Sequence, residues 1–229
     1  MKNLRVTLAA RSGSRLLELT IERLIVAGWV GKDKVAVREH IEELGKLGVP
    51  APSRTPTYMN LAPSILTSGS AIEVVTPESS GEVECVLFNA EGQIYVGVGS
   101  DHTDRGMEKY DIPGAKQMCA KPVAPTVWAA EEVQNHLDKI ILRSWMTVGG
   151  VRRMYQEGAL GDNLDVLDIM NNIPADDGLE RTNLCLFCGT FAAKGGIVFG
   201  ERFEFEMEDP VLGRKIEHEY RLRSLPQYL

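Results

Sequence analysis

The chain of 229 residues has only four cysteines, at positions 85, 119, 185 and 188. They are too sparse for a disulfide-stapled secreted scaffold, so a reduced cytoplasm is the expected setting. No apolar stretch approaches the ~18–20 residues of a membrane-spanning helix. The first apolar run, Met1 to Arg11, carries Arg5 inside it, which is not the pattern of a signal peptide. There is no basic block: 25 Lys and Arg stand against 32 Asp and Glu, a formal charge of −7. Phosphate binding needs clustered cations, so nucleic acid and anionic membrane are poor partners. Repeats and low-complexity tracts are also missing. What remains is 44% hydrophobic and 25% charged, ordinary for a folded globular chain and enough for one substantial core.

Patterning adds an outline. Leu4, Val6 and Leu8 alternate, as do Leu17, Leu19 and Ile21, which predicts two short strands. A helix is expected from about Asp33 to Leu47, with Val37, Ile41 and Leu44 as its apolar stripe and Gly48 and Pro50 beyond its end. Later strands are expected at 82–88, 94–100, 140–148, 184–188, 202–208 and 214–222, with helices near 129–137 and 163–171, the second capped by Asp162-Asn163. Many strands and few helices indicate a β-rich α+β fold.

The segment from Gly81 to Asp101 is the most informative. With a turn over Ala90 to Gln93, Asn89 lies opposite Ile94, Glu84 opposite Gly99 and Glu82 opposite Asp101. Val83, Cys85, Leu87, Ile94, Val96 and Val98 then share a core face. The other face carries Glu82, Glu84 and Asp101, with Gly97 and Gly99 expected to leave open space beside them. Three carboxylates so placed raise one another's pKa unless a cation joins them. An all-oxygen set suits Mg²⁺, Mn²⁺ or Ca²⁺ over zinc; the alternative is a solvent-facing acidic edge. His40 and Glu43, at i and i+3 on the early helix, share one side of it, as a general acid–base pair or as a surface ion pair.

Glu82-Val-Glu84, Gly99-Ser-Asp101-His-Thr-Asp-Arg105, Lys116, Cys188-Gly-Thr190 and Gly200-Glu-Arg-Phe-Glu occur in that order. In order and spacing they resemble the fumarylacetoacetate hydrolase superfamily over residues 70–222. Ala27-Gly-Trp29 and His40-Ile-Glu-Glu-Leu44 are similar to a bacterial branch of it without an assigned activity. The resemblance implies a mixed β-sandwich roll (residues 61–229) with a small N-terminal α/β segment (residues 1–60) carrying a possible lid helix, packed as one structural unit, and commonly a homodimer.

It further implies a divalent cation, Mg²⁺ or else Mn²⁺ or Ca²⁺, on Glu82, Glu84 and Asp101. Lys116, Arg105, Gly189 and Thr190 would meet a small carboxylate substrate, and His40 with Glu43 would activate water or move a proton. The expected activity is metal-dependent hydrolysis of a C–C bond in an acylpyruvate-like 2-oxo acid. A decarboxylase, dehydratase or tautomerase at the same site, or a non-catalytic metal- and ligand-binding relative, are the alternatives. The chain departs from the family pattern at Gly106-Met-Glu108, at Gln117-Met-Cys-Ala-Lys-Pro122 and at Phe191-Ala-Ala193, all beside the expected substrate pocket. His102 is expected to orient a ligand, and His136 and His218 to be structural. Cys185-Leu-Phe-Cys188 has the C-x-x-C form but lies on an expected strand, whose i and i+3 side chains point to opposite faces. Glu201, Glu204, Glu206 and Glu208 read as a solvated strand face.

Overall fold

In the computed structural model, residues 1–46, 51–174 and 181–227 are described, except the side chains of residues 36, 40 and 43–46. The chain opens with β1 (Lys2–Ala10), β2 (Gly13–Ile21), β3 (Arg23–Gly28) and α1 (Lys34–Lys46). There follow β4 (Thr57–Leu61), β5 (Leu66–Thr67), β6 (Ala71–Val74), β7 (Ser79–Ser80), β8 (Val83–Ala90), β9 (Gln93–Ser100) and β10 (Thr103–Asp104). After α2 (Arg105–Glu108) and α3 (Ile112–Gln117) come β11 (Lys121–Pro122), β12 (Thr126–Ala129), α4 (Ala130–Val133), β13 (Ile141–Val148), β14 (Val151–Ala159) and α5 (Val166–Asn171). The last strands are β15 (Leu184–Phe187), β16 (Arg202–Asp209) and β17 (Arg214–Ser224).

Two sheets carry the fold. One has eight strands in the order β2-β1-β12-β9-β8-β15-β3-β4, the other five in the order β14-β13-β16-β17-β6. The strands β1 to β4 of the N-terminal segment are built into the larger sheet. The main core fills the space between the sheets, where Val83, Cys85, Leu87, Val96 and Val98 meet Leu142, Met146, Phe203, Phe205, Met207 and Tyr220. A second core lies on the other side of the larger sheet. Nearly all its members, among them Leu4, Val6, Leu19, Leu24, Val26, Val86, Phe88, Val127 and Phe187, come from that sheet's own strands. The sheet therefore rolls over to bury its second face, as a strongly twisted eight-stranded sheet must when no helix layer covers it. The result is a β-rich sandwich roll. Among the described residues, no helix is long and apolar enough to cross a membrane.

Local chemistry explains the elements that differ from expectation. The strand β14 carries Val151-Arg152-Arg153-Met154, all exposed, and pairs with β13 through a bulge between Ser144 and Trp145. The extra residue breaks the period-2 alternation that sequence reading needs. The helix α5 starts at Val166, not near 163: Asp165 caps it by accepting from the backbone N–H groups of Leu167 and Asp168, while Leu160–Asp162 forms a separate 3-10 turn. The helix α1 begins where Asp33 Oδ1 accepts from the Val35 N–H at 2.9 Å; its expected end at Leu47 falls outside the described residues.

Candidate metal centre

The β8–β9 hairpin has the expected register: Asn89 pairs with Ile94, Glu84 with Gly99, and the Asp101 N–H donates to the Glu82 carbonyl at 2.9 Å. The hairpin end therefore brings one oxygen each of Glu82, Glu84 and Asp101 within 4.8 Å of one another. The glycines beside them are not there for open space. A Cβ on Gly99 would lie 2.8 Å from the Pro122 carbonyl and 2.9 Å from both Phe187 and Val86, and one on Gly97 would lie 3.3 Å from Phe88 and Val127. Because the sheet rolls over, this face is a second core, and the glycines permit close packing beneath the carboxylates.

The acidic edge is thus not solvent-facing. Asp101 is completely buried, Glu84 is 2% exposed, and only Glu82 reaches the surface. Burial, then the charges of Asp101 and Glu82, push Glu84 well above the usual carboxylate range. Burial pushes Glu82 the same way, but the adjacent Arg105 and Lys116 charges outweigh it and hold Glu82 down at about 2. Burial works against the Lys116 charge too, yet Asp101 and Glu82 raise its pKa above that of a free lysine.

Two lysines divide Asp101 between them. Lys116 Nζ donates to Asp101 Oδ2, and lies 3.1 Å from Glu82 Oε2 and 3.4 Å from Thr103 Oγ1. Lys121, fully buried, lies 3.2 Å from Asp101 Oδ1 but gives its hydrogen bonds to the carbonyls of His102 (2.6 Å), Cys119 (3.1 Å) and Lys116. An ammonium has three N–H bonds, and these three carbonyls take them all. Asp101 Oδ1 consequently feels a positive charge while remaining a buried acceptor without a hydrogen bond. A buried oxygen in that condition is suited to a cation that brings no proton of its own. The donor set and this unmatched oxygen together fit a hard divalent ion.

The remaining expected residues fall into three groups. Arg105 is fully engaged: it pairs with Glu82 at 3.0 Å and Glu108 at 2.8 Å and donates to Ser80 Oγ. Asp104, the residue before it, caps α2 and accepts from the Thr76 hydroxyl. Gly189 donates its N–H to Glu84 Oε2 at 2.7 Å, and its φ of +88° with Val30 only 2.2 Å from a would-be Cβ leaves room for glycine alone. Thr190 faces inward, its hydroxyl donating to the Val83 carbonyl and accepting from Gln156 Nε2, each at 2.8 Å. Its hydroxyl thereby braces β8. The side chains of His40 and Glu43 lie outside the described residues.

Sequence reading missed Lys121 and Gln156. Gln156, 2% exposed, uses its whole amide: Val83 N–H and Ser144 Oγ donate to Oε1, and Nε2 donates to Thr190 and to the Phe191 carbonyl. It thereby ties the two sheets to the 189–191 loop. His102 Nδ1 and Ser100 Oγ each lie 2.8 Å from the Tyr220 hydroxyl, and burial with the Lys121 charge pushes His102 down to about 3. Cys185 and Cys188 sit in different cores, as opposite faces of a strand require.

The family profile described as a protein of unknown function, DUF2848, matches residues 27–220. The chain belongs to the DUF2848 family. No curated protein matches the DUF2848 chain by sequence. Solved structures do match in three dimensions. A yeast protein, ynq8, of the fumarylacetoacetate hydrolase family has TM-score 0.58 at 15% identity, covering 91% of this chain and 95% of that one. A 2-keto-3-deoxy-D-arabinonate dehydratase in its apo form has TM-score 0.65 at 13% identity, covering 94% and 78%. A maleylpyruvate hydrolase from Sphingobium sp. SYK-6 has TM-score 0.59 at 13% identity, covering 92% and 75%. The DUF2848 chain therefore has the fumarylacetoacetate hydrolase fold, as its motifs led one to expect.

Proposed function

We propose that the DUF2848 chain is a divalent-metal-dependent enzyme acting on a small 2-oxo acid, and that the reaction is hydrolysis of a C–C bond in an acylpyruvate-like substrate. The observation that carries this reading is the convergence of Glu82, Glu84 and Asp101 around a buried Asp101 oxygen that no hydrogen bond satisfies. These three residues would hold Mg²⁺, or Mn²⁺ or Ca²⁺, which supplies Lewis-acid polarisation of a substrate oxygen when bound. Lys116 is the ammonium within reach of a substrate carboxylate, since its partners are side-chain oxygens alone. Arg105 keeps Glu82 ionised and oriented, and the Gly189 N–H does the same for Glu84. By their spacing in the sequence, His40 and Glu43 would be the pair that takes the proton from the attacking water. We place the enzyme in the cytoplasm as a homodimer.

A second reading is dehydration of a 2-oxo acid. It draws on the likeness in fold to the 2-keto-3-deoxy-D-arabinonate dehydratase, and it needs a proton moved beside the ketone but no activated water. One experiment separates the two. Protein stripped with EDTA and reloaded with Mg²⁺ or Mn²⁺ is incubated with a panel of acylpyruvates and 3-deoxy-2-oxo acids, and products are identified by mass. Incorporation of one water with C–C cleavage supports hydrolysis, whereas net loss of water supports dehydration. Turnover that persists in Asp101→Asn or without metal overturns both.

A further inference from the structure

Lys116 and Lys121 share one carboxylate but are held in different ways. The Lys121 ammonium is enclosed by three main-chain carbonyls, those of His102, Lys116 and Cys119, and is 0% exposed. Moving it would strand all three carbonyls in the interior, so it stays. Lys116 contacts only Glu82, Asp101 and Thr103 through their side chains, on an arm that is 8% exposed and lies beside the surface-reaching Glu82. Among the described residues, its ammonium donates to side-chain oxygens and to no main-chain carbonyl.

The pairing of charges gives the consequence. Glu82 pairs with Arg105 and Lys116, and Asp101 with Lys116 and Lys121. A divalent ion entering this cluster meets positive charges already in place and needs the Glu82 and Asp101 oxygens that Lys116 holds. Arg105 is fixed by Glu82, Glu108 and Ser80, which leaves Lys116 as the cation able to withdraw.

We propose that Lys116 is an exchangeable occupant of the cation site: it leaves the Glu82 and Asp101 carboxylates when a divalent ion binds and re-engages on the carboxylate of the bound acid. This rests on the metal site proposed above and adds a consequence that the site alone does not have. Metal and substrate are coupled through one side chain, because the acid gives the displaced ammonium a partner. Lys121 takes no part in the exchange and serves as the fixed counter-charge of Asp101.

The test is Mn²⁺ binding to EDTA-stripped protein, followed by electron paramagnetic resonance with and without oxalate, for wild type, Lys116→Met and Lys116→Gln. In wild type, oxalate tightens Mn²⁺ binding by roughly 5–150-fold, the usual span of coupling between sites. Both variants bind Mn²⁺ alone more tightly than wild type, and the oxalate effect shrinks toward onefold. Unchanged or weaker Mn²⁺ affinity in the variants overturns the proposal, as does full retention of the oxalate effect. A second readout needs no variant: sulfosuccinimidyl acetate labels Lys116 faster when Mn²⁺ is added and slower again when oxalate follows, while Lys121 stays unlabelled. Labelling indifferent to Mn²⁺ overturns the exchange. Absence of Mn²⁺ binding in wild type is a separate result, which overturns the metal site itself and the exchange with it.

Discussion

Two of the buried carboxylates, Asp209 and Asp101, are treated differently. At the β16–β17 turn Asp209, 0% exposed, is saturated. Its Oδ1 accepts from the Val211 and Leu212 N–H groups at 3.1 Å and meets His136 at 3.0 Å, while Oδ2 faces Arg214. Arg214 in turn pairs with Glu132, donates to the Ala9 carbonyl and lies over Trp128. At the end of the β8–β9 hairpin Asp101, equally buried, faces two lysines yet keeps an oxygen without a hydrogen bond. Both clusters are charge-paired, so pairing does not distinguish them. Satisfaction does: the anion with every acceptor filled joins strands and helices, and the one left short is where a ligand gains most by binding.

The largest expected effect tests the cluster around the saturated Asp209. Asp209→Ala strips Arg214 and His136 of a buried partner and should cost about 3–5 kcal/mol, measured by urea unfolding, with Mn²⁺ affinity unchanged. The same residue sets a pH dependence. Burial opposes its charge, but the Leu212 N–H, His136 and Arg214 lower its pKa below the usual value. A depressed carboxyl pKa gives stability that is present above the unfolded-state pKa and lost as pH falls through the folded one. Wild type should therefore lose this contribution on acidification below about pH 4, and Asp209→Asn should show a flatter acid limb. A steep limb in the variant would mean that other carboxylates carry it.

Next comes Gly189→Ala. The left-handed backbone and the Val30 contact at 2.2 Å together set a cost of about 3 kcal/mol, read by thermal unfolding. Here, unlike at Asp209, metal affinity should fall as well, because the Gly189 N–H orients Glu84. A stability loss with metal binding intact would assign Gly189 to packing alone. Third, Mn²⁺ at 100 times its dissociation constant should stabilise the stripped protein by ~2.7 kcal/mol, and Asp101→Asn should abolish that gain. The same ion should leave the loss in Asp209→Ala additive, since the two clusters share no side chain.

The hairpin register was legible because the alternation of Val83, Cys85, Leu87 with Ile94, Val96, Val98 flanks a Glu91-Gly92 turn, and a one-residue slip would turn the core outward. The carboxylates came with it. What their neighbours do was not legible, since it depends on the sheet rolling over. Gly99 reads as open space in a flat hairpin and as a contact in a rolled one. Lys121 sits in an unremarkable Ala-Lys-Pro sequence, and only the fold converges three carbonyls on its ammonium. Gln156 was hidden behind Arg152 and Arg153 on a bulged strand without alternation. Thr190 was assigned from its motif, which says nothing of the Val83 carbonyl that its hydroxyl meets or of the Gln156 amide that donates to it.

The smallest expected effect sharpens the comparison from a third region. On the outer face of the five-stranded sheet Arg143 meets Glu157, Glu206 and Glu208, more carboxylates than face Arg214. If the number of partners set the energy, Arg143→Met would rival Asp209→Ala. Glu157 and Glu208 are 38% and 37% exposed, however, and Arg143 itself 22%, while the buried Glu206 keeps Lys215 as a second partner. Water already stabilises those carboxylates and screens the pairs, and the methionine retains the aliphatic stem that covers the sheet. The expected loss is therefore about 1 kcal/mol or less, shrinking further when unfolding is repeated at 1 M salt, where the Debye length falls to ~3 Å. The Asp209→Ala loss should hardly change with salt, because that carboxylate is screened by protein. Equal salt sensitivity at the two positions would show that the difference in exposure between Arg143 and Asp209 does not govern how strongly their pairs are screened.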